Sequence, residues 1–193
     1  MTFARIAAAV LLAMGLAACG GQAATPPSPT HQEHQVREPP TAAPGQFGPT
    51  EQAFTELAIA TDEQAVKLLD QGGKVTSPAL RDLATEIGVT RRAELAELHG
   101  LLDAAGIPFV NNHAGHDMPG MPTAEELGAL SASGGDFDKV FAGLLRAHLD
   151  ESTVVVKSVL GATSHVGTKA VAAKMAQERA ADLPRLDRTT GSP

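Results

Sequence analysis

The chain has 193 residues, with 15 Lys and Arg against 22 Asp and Glu, seven His, five Met, one Cys and neither Trp nor Tyr. A formal charge of −7 leaves no basic surplus to neutralise phosphates, and six Phe give few stacking platforms, so nucleic acid is a poor partner. One cysteine can form neither an internal disulfide nor a multi-thiolate zinc or iron–sulfur site.

Residues 1–18 read as a lipoprotein signal peptide. Arg5 supplies a positive charge and Ile6 to Leu16 an apolar stretch, which is too short for a bilayer core of roughly 30 Å. Leu16-Ala17-Ala18-Cys19 resembles a bacterial lipobox, a branched apolar residue and two small ones before cysteine. In that class of signal the thiol accepts a diacylglycerol and the cysteine becomes the first residue of the mature protein. Cys19 is therefore expected to be the lipidation site. It would hold an exported chain on the periplasmic or cell-surface side of a membrane. Loss of residues 1–18 removes Arg5 and no acid, so the mature charge is 14 − 22 = −8.

Residues 19–50 form the expected tether, with seven prolines (26, 27, 29, 39, 40, 44 and 49) among Gly, Gln, Thr and Ala. Such a composition cannot build a core and predicts a disordered or polyproline-like spacer. From residue 20 to 50 it would reach roughly 30 Å as a coil and about 95 Å as polyproline II. Its His31 and His34 lack a fixed backbone and make only a weak metal candidate.

Helical periodicity then takes over, and residues 51–188 are expected to be the folded domain, with 189–193 a tail. A first helix from Thr50-Glu51 carries Phe54, Leu57/Ala58, Thr61, Ala65 and Leu68/Leu69 on one stripe and stops at Gly72-Gly73. A second opens at Ser77-Pro78, a capping residue followed by proline in the first turn, and ends at Gly106. A Gly, Pro, His and Met loop covers 107–122. Thr123 and Glu126 form a capping box for a short helix that stops by Gly134-Gly135. A third long helix is expected from about Asp136 to Leu160, with Phe137, Phe141, Leu144/Leu145, His148, Ser152, Val155 and Val159 on its stripe. A fourth follows Gly167 and ends around Leu186. Four amphipathic helices with short joints predict an all-α antiparallel four-helix bundle.

The halves repeat. Leu83-Ala84, Ile87, Arg91, Glu94-Leu95 and Leu98 match Val171-Ala172, Met175, Arg179, Asp182-Leu183 and Leu186 at an offset of 88, as from 83 to 171. Phe54 matches Phe141 at 87, whereas Asp62-Glu63 match Asp150-Glu151 at 88, which leaves the register of the first and third helices open. Arg91/Glu94 and Arg179/Asp182 are expected as ion pairs half-buried between helices, fixing register more than adding stability. Asp62, Glu63, Asp150 and Glu151 read as solvated helix flanks. Metal ligation by the acids is the alternative, but the Glu-x-x-His motifs of di-iron bundles are absent from the sequence.

The half-repeats resemble the bacterial "domain of unknown function 305" family over about residues 50–188. So do Met118-Pro119-Gly120-Met121 and the run from Glu126-Leu127 through Leu130, Gly134 and Phe137-Asp138 to Phe141. The resemblance implies a ferritin-like bundle built from a duplicated helical hairpin, an exported protein and, from several members, copper handling. The family's His-His pair lies seven and eight residues after the helix-starting Phe of each half. Those positions hold Thr61 and Asp62 in the first half and His148 and Leu149 in the second, so only His148 carries over. As a lone histidine on its helix stripe it reads first as a partly buried, hydrogen-bonded core residue and second as a ligand.

The stretch Asn111 to Met121 concentrates two imidazoles and two thioethers, His113, His116, Met118 and Met121, between residues that let a loop wrap. Imidazole with thioether suits copper, Cu(I) above all as methionines dominate. Hard ions want more carboxylate than Asp117 supplies, and zinc would use His113, His116 and Asp117 but gain little from methionine. The bland alternative makes Met118 and Met121 plugs that pack the loop onto the bundle. Met175 reads as a core substitute for Ile87.

The expectation is thus a lipid-anchored extracytoplasmic bundle that binds copper for buffering or sequestration, through His113, His116, Met118 and Met121 with His148 contributing. The alternative is a metal-free surface-displayed interaction module. No nucleophile–base arrangement, phosphate loop or paired catalytic carboxylate points to an enzyme.

Overall fold

The structure is a computed structural model that describes residues 43–191. The signal segment, Cys19 and the part of the tether with His31 and His34 lie outside the described residues. So do residues 192 and 193.

α1 (Pro49–Leu69) begins with proline in its first turn, and the Glu51 carboxylate accepts the Gly48 N–H at 3.0 Å. A 3₁₀ turn, Asp70–Lys74, closes it. α2 (Pro78–Ala104) is capped by the Ser77 hydroxyl, which accepts from the Leu80 N–H. The two ends meet at a clamp, where Asp138 accepts from the Thr76 N–H, the Thr76 hydroxyl and the Ser77 N–H at 2.7–2.8 Å. α3 (Ala124–Ala132) starts at the expected reciprocal box of Thr123 and Glu126. α4 (Phe137–Ala162) absorbs the β-branched run Val154 to Val156.

α5 (Val166–Thr190) differs from its expected limits at both ends. It starts before Gly167 because His165 caps it, the ring Nδ1 accepting the Thr168 N–H at 3.1 Å. It runs through Pro184 to Thr190 and stops at Gly191, whose φ of 65° is the left-handed geometry that ends helices.

Helices and 3₁₀ turns are the regular secondary structure of the described residues. The four long helices form a ring in which α1 packs on α2, α2 on α5, α5 on α4 and α4 on α1. Each neighbouring pair is antiparallel. Glu86 pairs with Arg185 and Glu97 with Lys174 across α2 and α5, and the start of α1 meets the end of α4 around Phe54 and Val159. Ring order 1-2-5-4 makes the connection from α2 to α4 travel the length of the bundle. That crossover is the strap 105–123 followed by α3.

Two apolar clusters fill the interior. One gathers Leu68, Leu83, Ile87, Phe141, Leu145, Leu149 and Leu186. The other gathers Phe54, Ile59, Leu98, Leu102, Val156, Ala172 and Met175. A polar layer separates them. Burial also settles the repeat register. At 87, Phe54/Phe141, Ala58/Leu145, Asp62/Leu149 and Ala65/Ser152 are buried in both halves, while Asp150, the partner of Asp62 at 88, is exposed.

Candidate metal site and buried ion network

The polar layer contains Asp62 of α1, Arg91 and Glu94 of α2, His148 and Ser152 of α4, and Arg179 and Asp182 of α5. Asp62, Arg91, Glu94, His148 and Arg179 are each 0% exposed. Arg91 pairs with Glu94 on its own helix and reaches Asp182 at 3.4 Å. Arg179 donates to Glu94 at 2.5 Å, to Asp62 at 3.3 Å and to the Ser152 hydroxyl at 3.1 Å. Two expectations are corrected here. Arg91–Glu94 forms within its helix as expected but fully buried, whereas Arg179 pairs with Glu94 and Asp182 with Arg91, joining the half-repeats crosswise because the ring places α2 against α5 with both arginines pointing to the centre. Asp62 is no solvated flank. Its spacing from Ala58, Ala65 and Leu69 is a heptad seam, and that was the signal in the sequence.

The layer is rich in acid. Burial pushes the Asp62 carboxyl up to about 7, despite the pull of Arg179 and Arg91. Burial also acts on Glu94, but Arg91 and Arg179 overcome it and hold the carboxyl down at about 2. Glu178, at the solvent edge 3.9 Å from Arg91, is raised to about 7 by partial burial and its hydrogen bond with Glu94. Burial raises Asp182 as well, more than Arg91 lowers it.

His148 is pushed down to about 3, first by burial and then by the two guanidiniums. The Gly120 backbone and Glu94 act the other way without offsetting them. The imidazole is therefore neutral at physiological pH. No well-formed hydrogen bond reaches either ring nitrogen, although the Gly120 backbone stands close enough to act on the ring, and the nearest carboxylate oxygen, on Asp62, stands 3.6 Å from Nε2. His148 is thus deeper and less satisfied than a hydrogen-bonded core histidine. It faces a cavity of about 130 Å³ between α1, α4 and α5, whose wall includes Thr61, Met118, Gly120, Ser152, Met175 and Arg179.

The strap closes that cavity. Gly120, at φ 71°, lies so close to α4 that an added Cβ would stand 2.6 Å from the Glu151 Cβ and 2.7 Å from the Ala147 carbonyl oxygen. Glycine is required there on both counts. The strap divides the expected ligands between two faces. Met118, partly buried, lines the cavity with His148. His113, exposed His116, Asp117 and buried Met121 line a separate, open pocket with Gln64, Lys67 and Glu125. Among the described residues no three His, Cys, Asp or Glu side chains are grouped to hold a metal ion. A site built here relies on methionine sulfur. His99 stacks edge-on against Phe109 early in the strap, and His165 is the α5 cap, so neither lines the cavity or the outer pocket.

Met175 escaped notice as a donor because it replaces an aliphatic residue on a core stripe, and only the tertiary structure brings it to the cavity.

The bundle is similar to a solved structure described as a DUF305 fragment from Deinococcus radiodurans, at 17% identity and a TM-score of 0.67, covering 78% of this chain and 100% of that one. That likeness shows the fold. Comparison with curated proteins gives no match. The family model named "Domain of unknown function (DUF305)" matches residues 50–190, the four long helices and the strap together, and the chain belongs to that family.

Proposed function

We propose that this protein is a lipid-anchored, extracytoplasmic bundle that binds copper, holding it for buffering or sequestration rather than transforming a substrate. The observation that carries the reading is the meeting of Met118 and His148 on one cavity, since they are distant in sequence and chemically suited to a soft metal. The outer pocket adds His113, His116 and Met121. The anchor rests on Leu16-Ala17-Ala18-Cys19, and the Pro-rich segment after it suits a spacer from a membrane surface.

The test is competition between the full chain and a chromogenic chelator for Cu(I) and Cu(II). The expected result is copper retention that falls at least tenfold in the variant His113→Ala/His116→Ala/Met118→Leu/Met121→Leu. Retention equal in the two proteins, or copper lost to a weak chelator, refutes the reading. Mass spectrometry of the native protein is expected to show a diacylated Cys19, and a Cys19→Ala form still held on membranes refutes the anchor.

A further inference from the structure

We propose that α4 is the contact face of a homodimer, packing antiparallel against α4 of a second copy about a twofold axis at Val154. The contact is independent of copper.

The fold leaves an apolar surface open at this place. Val154 lies in the middle of α4 and is 62% exposed. It rims an open groove of about 390 Å³ between α1 and α4, whose wall includes Ala53, Phe54, Leu57, Val155 and Ala162. The strap covers only the other half of this α1–α4 seam, where Gly120 is pressed against Ala147 and Glu151.

Helical spacing makes the exposed face complementary to itself. At about 100° per residue, Ala147, Asp150, Lys157 and Gly161, all exposed, lie within about 60° of the direction of Val154. In an antiparallel pair centred on Val154, a residue n places before it meets one n places after it in the other copy. Ala147 then meets the partner's Gly161, seven places on either side, and two small residues let the helices approach. Asp150, four places before, falls beside the partner's Lys157, three places after, and both lie on the side of the face towards α5. The axis makes this opposite-charge contact twice, while the two copies of Asp150 stand about 12 Å apart along the helices. Among the described residues neither Asp150 nor Lys157 is engaged in an ion pair within the chain, so both are free to pair across the contact.

The two halves of the seam match in the same way. The axis sets the strap-covered half of one copy, with Met118 and exposed Pro119, over the open groove of the other. A ridge and a trough related by one twofold are what an isologous contact requires, and apolar surface on both is withdrawn from water. Val89 of α2, the other large apolar side chain exposed in mid-helix, lacks such surroundings. It is 67% exposed, but the flanking Glu86 and Arg92 are already paired with Arg185 and Asp70.

The test is sedimentation equilibrium of the full chain in density-matched neutral detergent, with a chelator present so that metal cannot bridge two copies. A dimer is expected at tens of micromolar chain. Asp150→Lys and Lys157→Asp are each expected to weaken association by about tenfold or more, because like charges then meet twice. Asp150→Lys/Lys157→Asp is expected to restore it, and a mixture of the two single variants to form mixed dimers although neither associates alone. Under mild oxidant Val154→Cys is expected to gain a covalent dimer that Val89→Cys, of similar exposure, does not. A monomer at every concentration, a dimer unaffected by either single reversal, or equal cross-linking of the two cysteine variants overturns the proposal. Copper retention is measured separately, so each of these results leaves that reading standing.

Discussion

Replacing Arg179 by Met tests whether the buried layer is one electrostatic unit. The side chain is fully buried and donates to Glu94, Asp62 and the Ser152 hydroxyl, so its loss leaves three buried carboxylates facing the single guanidinium of Arg91. Removing one partner from a buried ionic cluster costs about 3–5 kcal/mol, chiefly because the remaining charge keeps no counter-charge. Against a domain stability of about 5–15 kcal/mol this is a large share. With a urea slope of about 1–3 kcal/mol per molar, the midpoint should drop by roughly 2 M at pH 7.5.

The loss should shrink at pH 5. Arg179 is the largest influence holding the Asp62 carboxyl down, so without it that carboxyl stays protonated and neutral there. Urea titrations followed by helical circular dichroism at both pH values measure the difference. Arg179→Met combined with Asp62→Leu should be more stable than the sum of the single changes, by roughly 1–3 kcal/mol. A single variant within about 0.5 kcal/mol of wild type, or strict additivity in the pair, would refute the reasoning.

Three further outcomes follow from the same geometry. The proton balance sets the pH response of the wild type. Asp62 and Glu178, both raised to about 7, contribute stability that is complete below the ordinary carboxylate range and lost as pH rises through 7. His148, lowered to about 3, contributes stability present above about 6.5 and lost as pH falls through 3. Between those limits the folded state holds two protons on the acids against one on the unfolded histidine. Stability should thus rise by about 1.4 kcal/mol per pH unit on acidification, read as a higher urea midpoint at pH 5.5 than at 7.5, and a lower midpoint would contradict it. Gly120→Ala should cost about 1–3 kcal/mol through its clash with α4 and its positive φ, and should open the strap. Gly115→Ala, also at positive φ but with nothing near, should cost about 1 kcal/mol in the same thermal melts.

The helices were legible because their signals are local. Ser77-Pro78 and the Thr123/Glu126 box cap helices by contacts within three residues, and the apolar stripes report burial directly. The His165 cap was not legible, since histidine is an uncommon capping residue. The ion layer was half legible. Arg91, Glu94, Arg179 and Asp182 stood out as charges on apolar stripes, but their crosswise pairing depends on the ring order of the helices. Asp62 sat beside Glu63 and was read with it, although only one residue of such a pair can face the core. At the candidate site, donor types were legible and their grouping was not. Met118 and Met121 are three residues apart, yet the turn at Gly120 sends one to the cavity and the other to the outer pocket.

The arginine layer and the cavity are linked by register. A buried ionic cluster adds little net stability over apolar packing, so its place in this core calls for another reason. Arg91–Asp182 and Arg179–Glu94 cross the α2–α5 interface in both directions at once, and Arg179–Asp62 ties α5 to α1. Sliding α5 by one turn, about 5.4 Å, would break all three and strand the acids in the interior, whereas Leu and Ala contacts would re-form after the slip. Met175 lies one turn before Arg179 and shares the cavity with it. The ionic layer therefore fixes the height of Met175 against His148 and Met118, a constraint that an all-apolar core of this composition would leave loose.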